Sequence, residues 1–286
     1  MANTKEIRRK IYSIESTQKI TRAMEMVAAS KMRKAQQRML ASRPYLQRVQ
    51  EVIDHLVKAK LEFTHHYLVT KPVKTTVFLV ISSDRGLCGG LNMNLFKTVI
   101  VEMKRRTELG EKVLLCTIGK KAENFFMHHH ATLIASTSDL GDRPRIKDLV
   151  GIMKVVMDSF DEDNAQEIYI AYNKFISTLV QKPQIDLLLP IKNSKEVEIS
   201  RGWDYIYEPD PESLLDLLLR RYIETVIYQA TVENVASEQA ARMIAMKSAS
   251  DNAEDLIDDF KLIYNKARQA AITTELAEIV AGASAV

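Results

Sequence analysis

The chain has 286 residues, 46% hydrophobic and 27% charged, with a net charge of +3. That apolar share provides for a core and excludes a disordered chain, no apolar run reaches the roughly 20 residues that cross a bilayer, and the charged opening MANTKEIRRK lacks the apolar stretch of a secretory signal. The two cysteines, Cys88 and Cys116, exclude a disulfide framework and read as free thiols.

Glycine and proline decide where regular structure runs uninterrupted. Residues 1–85 contain no glycine, eight of the nine glycines lie between Gly86 and Gly202, and the last proline is Pro211. Two long helices are expected. At 1.5 Å per residue, residues 3–58 would span roughly 84 Å and residues 211–280 roughly 105 Å, more than the width of one domain.

The first helix places apolar residues at steps of three and four: Ile7, Ile11 and Ile14; after a phase slip Ile20, Met24, Ala28, Met32, Ala35 and Met39; then Leu46, Val49, Ile53 and Leu56. From Met24 to Met39 the spacing drifts toward an eleven-residue repeat, which relaxes a left-handed supercoil toward a nearly straight pair. Ala28, Ala29 and Ser30 allow close helix approach. Pro44 removes a helical hydrogen bond and predicts a kink there, not a stop.

The pattern then changes. TTVFLVIS (75–82), VLLCTIG (113–119) and EIYIAYN (167–173) read as strands, alternating with helical LNMNLFKTVIVEMKRR, KKAENFFMHH and the segment from Ile146 to Phe160. Such alternation predicts an α/β domain with a mostly parallel, Rossmann-like sheet over residues 70–205, and LVQKPQIDLLLP adds an edge element. In the last helix Leu215, Leu219, Tyr222 and Val226 begin one seam, and Leu256, Phe260, Ile263, Ala267 and Ala270 form another.

The charge is divided between the ends. Residues 1–60 carry 14 Lys or Arg against 5 Asp or Glu, and residues 210–286 carry 7 against 13. Opposite charge beside apolar seams favours antiparallel pairing of the two helices.

Motifs for chemistry are absent. Ser83–Asn92, SDRGLCGGLN, contains neither G-x-G-x-x-G nor GxxxxGK[ST], so it reads as a tight turn that passes close to a partner. Gly119 and Lys120 lack the upstream glycine of a phosphate loop. His128, His129 and His130 diverge by about 100° per residue on a helix and do not form one ligand face. The acidic groups Asp161, Glu162, Asp163 and Asp255, Asp258, Asp259 sit beside no nucleophile motif, and Lys31, Arg33, Lys34 and Arg38 lack the interleaved aromatics of a nucleic-acid surface. An amphipathic membrane helix fits poorly with a narrow seam of Ala and Met. The expected architecture is therefore an N-terminal shaft helix (1–60), an inserted α/β domain (70–205) and a C-terminal shaft helix (211–286), the two helices forming an antiparallel coiled coil.

Five segments then point to one family: ITRAMEMVAASKMRKAQ (20–36), SSDRGLCGGLN (82–92), WDYIYEPDP (203–211), ASEQAARMIAMKSASDNA (236–253) and YNKARQAAITTELAEIV (264–280). In order, over essentially the whole chain, they resemble the gamma subunit of F-type ATP synthases, most closely its proteobacterial forms. The resemblance implies a central rotor stalk, non-catalytic alone, without cofactor, metal or nucleic acid. Its partners would be the alpha, beta, epsilon and c subunits, in single copy, at the cytoplasmic face of the inner membrane and peripheral through the c-ring.

By position, Met24 matches a residue facing a beta-subunit loop, Arg268 and Gln269 match a pair contacting a beta catch loop, and Arg242 and Thr273 match positions associated with coupling. Cys88 matches a loop near beta and epsilon, and Tyr205, Tyr207 and Glu208 match the foot on the c-ring. Met24 equally fits the apolar seam, Thr273 equally faces solvent, and Tyr205 equally fits a domain core. In the mechanism so implied, an off-axis shaft presents a different face to each beta subunit, and its rotation exchanges their nucleotide affinities. Arg268 would act as a transient catch and the small AGASAV end as a bearing. A non-rotating coiled-coil adaptor for protein or nucleic acid, and an α/β enzyme with helical extensions, are the other readings; the enzyme needs a site within residues 70–205.

Overall fold

The computed structural model describes residues 4–58, 65–129, 131–191 and 211–283. In chain order they form α1 (Thr4–Lys58), a short 3-10 turn (His66–Leu68), β1 (Thr75–Ile81), α2 (Leu91–Glu108), β2 (Lys112–Ile118), α3 (Lys120–His128), β3 (Leu133–Thr137), α4 (Ile146–Asp161), β4 (Glu167–Phe175), β5 (Gln181–Leu189) and α5 (Pro211–Ala283). The helices α1 and α5 are 55 and 73 residues long. Two compact units result, residues 1–29 with 242–286, and residues 30–241.

In the first unit α1 pairs with α5 along a seam of strict heptad spacing. Ile7 and Ala28 are buried on α1, and Ile11, Ile14, Gln18, Thr21 and Glu25 between them are half-buried. On α5, Met246, Ser250, Ala253 and Ile257 are buried, followed by half-buried Phe260, Tyr264 and Ala267. This corrects the expected phase slip: Ile20 is 58% exposed, and Leu256 and Ile263 also face outward. The seam instead runs through polar Gln18 and Thr21. A hydroxyl pair makes that tolerable, since Thr21 Oγ1 and Ser250 Oγ hydrogen-bond across it at 2.7 Å, so neither is left buried without a partner. From Ile7 to Ala28 the buried and half-buried positions keep heptad steps, and between Met24 and Met39 the expected positions hold, with Met24 half-buried and Ala28, Met32, Ala35 and Met39 buried. Two ion pairs in this unit, Lys10–Glu6 at 3.7 Å and Lys261–Asp258 at 3.3 Å, each join residues of one helix.

In the second unit a five-stranded sheet has the order β3-β2-β1-β4-β5. The first four strands are parallel, and β5 returns antiparallel to β4 at the edge. Strand β3 falls within a segment without a strand signal, and it is a short edge strand with alternating partial exposure. One face of the sheet is closed by α2 and α3, where Phe78, Val80 and Leu115 meet Leu95, Phe96, Val99 and Phe126. The opposite face is larger. There Val77, Leu79, Ile118 and Ile168 meet α4 through Leu149, Ile152 and Val156, and meet α1 and α5 through Val49, Ile53, Leu219, Ile223 and Ile227. Within this unit α1 does not stop at Pro44. Next to it Ser42 hydrogen-bonds Gln229, and Arg43 pairs with Glu233 of α5 at 3.7 Å.

At the opening edge of the sheet one cation organises three elements. Arg106, near the end of α2, reaches Glu167 of β4 at 2.7 Å, Glu111 before β2 at 3.2 Å and Glu102 at 3.1 Å, and it also bonds the Tyr169 hydroxyl. Thr76 of β1 donates to Glu111 at 2.6 Å. The Arg106 side chain is only 10% exposed, so its removal would strand two shielded carboxylates. Arg106→Leu is expected to cost about 3–5 kcal/mol in urea unfolding at neutral pH, with most of it regained when Glu111 and Glu167 are also made apolar. A cost below about 1 kcal/mol would contradict this account of the edge.

Candidate partner-binding surfaces

An open parallel sheet takes its ligands in the crevice beyond the carboxyl ends of its strands, where the strand order reverses. Here that place, beside β1 and β4, is occupied by α5. Asn234 accepts hydrogen bonds from the Asn173 amide nitrogen at 3.2 Å and from its side-chain nitrogen at 3.0 Å. Ser237 donates to the Asn173 carbonyl at 2.8 Å, and the Phe175 amide donates to Glu233 at 3.2 Å. Burial holds the Glu233 carboxyl above the usual carboxylate range, with the nearby Arg43 charge opposing it. What remains is a cavity of about 20 Å³ beside Ser82, Gly119, Asn234 and Glu238. It holds about one water molecule, whereas a small-molecule site needs some 300 Å³ or more. A wider open cleft of about 760 Å³ lies by Arg38, Arg143 and Arg145. Two of its cations are already engaged, Arg145 with Asp148 at 3.1 Å and Arg38 with the Asp142 carbonyl at 3.0 Å.

The turn after β1 has a structural task that its sequence conceals. Asp84 accepts from the Lys120 amide at 3.1 Å, the Ser83 carbonyl from Lys121 at 3.1 Å, and Ser82 Oγ from Ala122 at 2.8 Å. These three bonds satisfy the free amides at the start of α3 that a phosphate would otherwise claim. Asn92 ties the turn down, donating to Ser83 Oγ at 2.7 Å and to Cys88 Sγ at 3.5 Å. The Cys88 thiol thus points inward and is buried. The outward face of the turn is Leu87, 60% exposed and held at φ 64°, a conformation rare for a bulky side chain.

The other matched positions divide sharply. Met24 is half-buried at the flank of the coiled-coil seam, and Arg242 is buried on α5. Arg268, Gln269 and Thr273 are exposed, and Thr273 Oγ1 is turned back onto the Gln269 carbonyl at 2.9 Å. Tyr205, Tyr207 and Glu208 lie outside the described residues. Among the described residues Ala267 is the last half-buried position of α5; residues 268–281 are exposed, Ile272, Leu276, Ile279 and Val280 among them. The seam pattern read from sequence did not reveal this bare end, because Ile272, Leu276 and Ile279 keep a helical spacing whether or not a partner helix is present. Among the described residues no cluster of His, Cys, Asp or Glu could hold a metal ion, and no helix is long and apolar enough to cross a membrane.

The family model for ATP synthase matches residues 3–286. The chain belongs to the ATP synthase gamma-subunit family. Its fold is that of the central stalk. It is similar to a chain of the Tetrahymena thermophila mitochondrial ATP synthase central stalk and c-ring, at 25% identity and TM-score 0.60, covering 81% of this chain and 99% of that one. It is also similar to a chain of the Euglena gracilis mitochondrial ATP synthase rotor in rotational state 1, at 19% identity and TM-score 0.65, covering 94% and 98%. A further match, in the OSCP, F1 and c-ring assembly of the Euglena enzyme in rotational state 3, has 20% identity and TM-score 0.69, covering 99% and 94%. This protein is thus a central-stalk subunit of an ATP synthase, and the adaptor reading finds no support.

The turn that carries Cys88 gives this family member a sharp stability test. Gly119 has φ 97°, and a side chain there would strike the Ser82 carbonyl oxygen, with its carbon at 2.8 Å. Gly110 has φ 83° but open space around it. Gly119→Ala is expected to cost at least about 2 kcal/mol more than Gly110→Ala in chemical denaturation, because only the former displaces backbone. Equal costs would mean that the Ser82–Asp84 turn is not rigidly seated on α3.

Proposed function

We propose that this chain is the non-catalytic rotating shaft between an ion-driven c-ring and the alpha and beta subunits that hold the nucleotides. The observation that carries the reading is the bare end of α5, fourteen consecutive exposed residues beyond the last half-buried seam position. Burying each of its larger apolar side chains is worth about 1.5–3 kcal/mol, so the helix gains by entering a surrounding sleeve. Arg268 and Gln269 stand at the start of that stretch and form charge-assisted and neutral hydrogen bonds to beta, a contact that can be made and broken during rotation.

The functional division is a shaft from residues 1–60 and 211–286 and an inserted domain of residues 70–205, with the foot at the end of that domain and just beyond it. Tyr205, Tyr207 and Glu208 meet the c-ring and epsilon. The turn of Ser82–Gly90 meets beta and epsilon through its outward face at Leu87, while Cys88 supports it from within. Met24 and Arg242 set the seam where the shaft meets the alpha and beta head. The likeness of its sequence blocks to proteobacterial forms supports an assembly at the cytoplasmic face of the inner membrane, with one copy per complex. Three beta subunits of one sequence then differ only through the face of the shaft each meets, so turning the shaft exchanges their affinities for nucleotide.

Purification through a tag on this chain from native membranes is expected to recover alpha, beta and epsilon with ATP hydrolysis, while the isolated chain hydrolyses none. Recovery of nucleic acid or unrelated proteins would return the adaptor. Truncation after Ala267 supplies a second test. It is expected to leave the urea unfolding of the isolated chain within about 0.5 kcal/mol, since residues 268–281 are exposed in it. The same truncation in the assembled enzyme should lower ATP synthesis by roughly threefold or more.

A further inference from the structure

The segment joining α1 to β1 carries a polar cluster that the shaft reading leaves unused. His65 opens the 3-10 turn, and its Nδ1 accepts the amide proton of Tyr67 at 3.2 Å. A ring nitrogen that accepts carries no proton, so the neutral ring holds its proton on Nε2, which donates to Asp216 of α5 at 3.2 Å. The ring is 8% exposed. His66 stacks on it with centroids 4.4 Å apart and reaches Asp161, at the end of α4, at 2.9 Å. Arg220 of α5 spans the two acids, 3.2 Å from Asp161 and 3.1 Å from Asp216. Beneath them the Tyr67 ring is fully buried, its phenol kept neutral by burial, and its carbonyl accepts from the Ile191 amide at 2.8 Å. This turn therefore joins the root of α5, the end of α4 and the residue that follows Pro190 after β5.

We propose that His65 is a pH-sensitive latch, in which a proton added at Nδ1 removes the acceptor of the Tyr67 amide and loosens the turn that holds Ile191. The geometry makes the event discrete. Once Nδ1 bears hydrogen it faces another N–H at what is now bonding distance, and the pair repels. Asp216 favours the charged ring, whereas Arg220 and the stacked His66 oppose it. Burial outweighs these and holds the His65 ring below the ordinary histidine value. The unfolded chain thus takes up the proton first as pH falls. The latch contributes its full stability above about pH 6.5 and loses it as pH falls through the folded value.

Hydrogen exchange of the full chain, corrected for intrinsic rates, tests the latch independently of any rotary activity. Between pH 7.5 and 5.0 the amides of Tyr67 and Ile191 are expected to lose protection by about tenfold, while the sheet amides of β1 do not. His65→Asn supplies an acceptor that does not titrate and should abolish the pH dependence, whereas His66→Gln should preserve it. Nitrogen spectra of the wild-type imidazoles give a reading that needs no variant, with His65 Nδ1 expected bare at neutral pH. A proton on Nδ1 at neutral pH, protection that does not change with pH, or unchanged pH dependence in His65→Asn would each overturn the proposal.

Discussion

The structure depends on α5 lying in the crevice of the parallel sheet. A helix normally buries one stripe, yet from Gln229 to Asn234 every residue of α5 is buried. Much of that surface is polar. Gln229, Glu233, Asn234 and Ser237 hydrogen-bond to α1 or to the end of β4, so the helix is held by directional contacts as well as by apolar ones. Directional bonds fix axial position and rotation, because sliding or turning the helix by one residue would leave buried donors and acceptors unpaired. A shaft that transmits torque needs such a root. Occupying the crevice also removes the place where an α/β protein would take a small ligand, so the same contact that anchors the helix excludes an active site there.

The coiled coil follows a different logic. Its ends carry opposite charge, but the Thr21–Ser250 pair and a seam of Ala, Ile and Met hold it, while the ion pairs seen there run along single helices. Opposite charge on two long helices acts at a distance and favours the antiparallel pairing over parallel pairing of like chains. Close contact is left to small apolar residues. Beyond Ala267 the residues of α5 from 268 to 281 are exposed.

Much of this was legible in the sequence, for physical reasons that also explain the gaps. A first stretch of 85 residues without glycine and a last one with no proline after Pro211 read as long helices, and Val- and Ile-rich runs between helical segments announce a parallel sheet. Strand β3 was missed because ATLIAST is short and half-exposed, without the continuous apolar run of an inner strand. The seam through Gln18 and Thr21 was misread as a slip to Ile20 because hydrophobic periodicity counts apolar residues only, and a hydroxyl pair across a seam is invisible to it. The capping of α3 by Ser82–Asp84 joins residues nearly forty positions apart, which no local pattern encodes. Among the matched positions, the bare end bearing Arg268, Gln269 and Thr273 and the inward Cys88 came to light only with the packing.

The proposed function requires this chain to turn relative to the subunits that hold the nucleotides. The most direct measurement is rotation of a single assembled enzyme fixed through its head, with a probe attached to the α/β unit at an exposed site such as Val101. ATP should drive the probe in one direction in discrete steps, and a cross-link between Arg268, changed to cysteine, and beta should stop both stepping and multisite hydrolysis. Sustained hydrolysis with a motionless probe, or with that cross-link in place, would contradict the account.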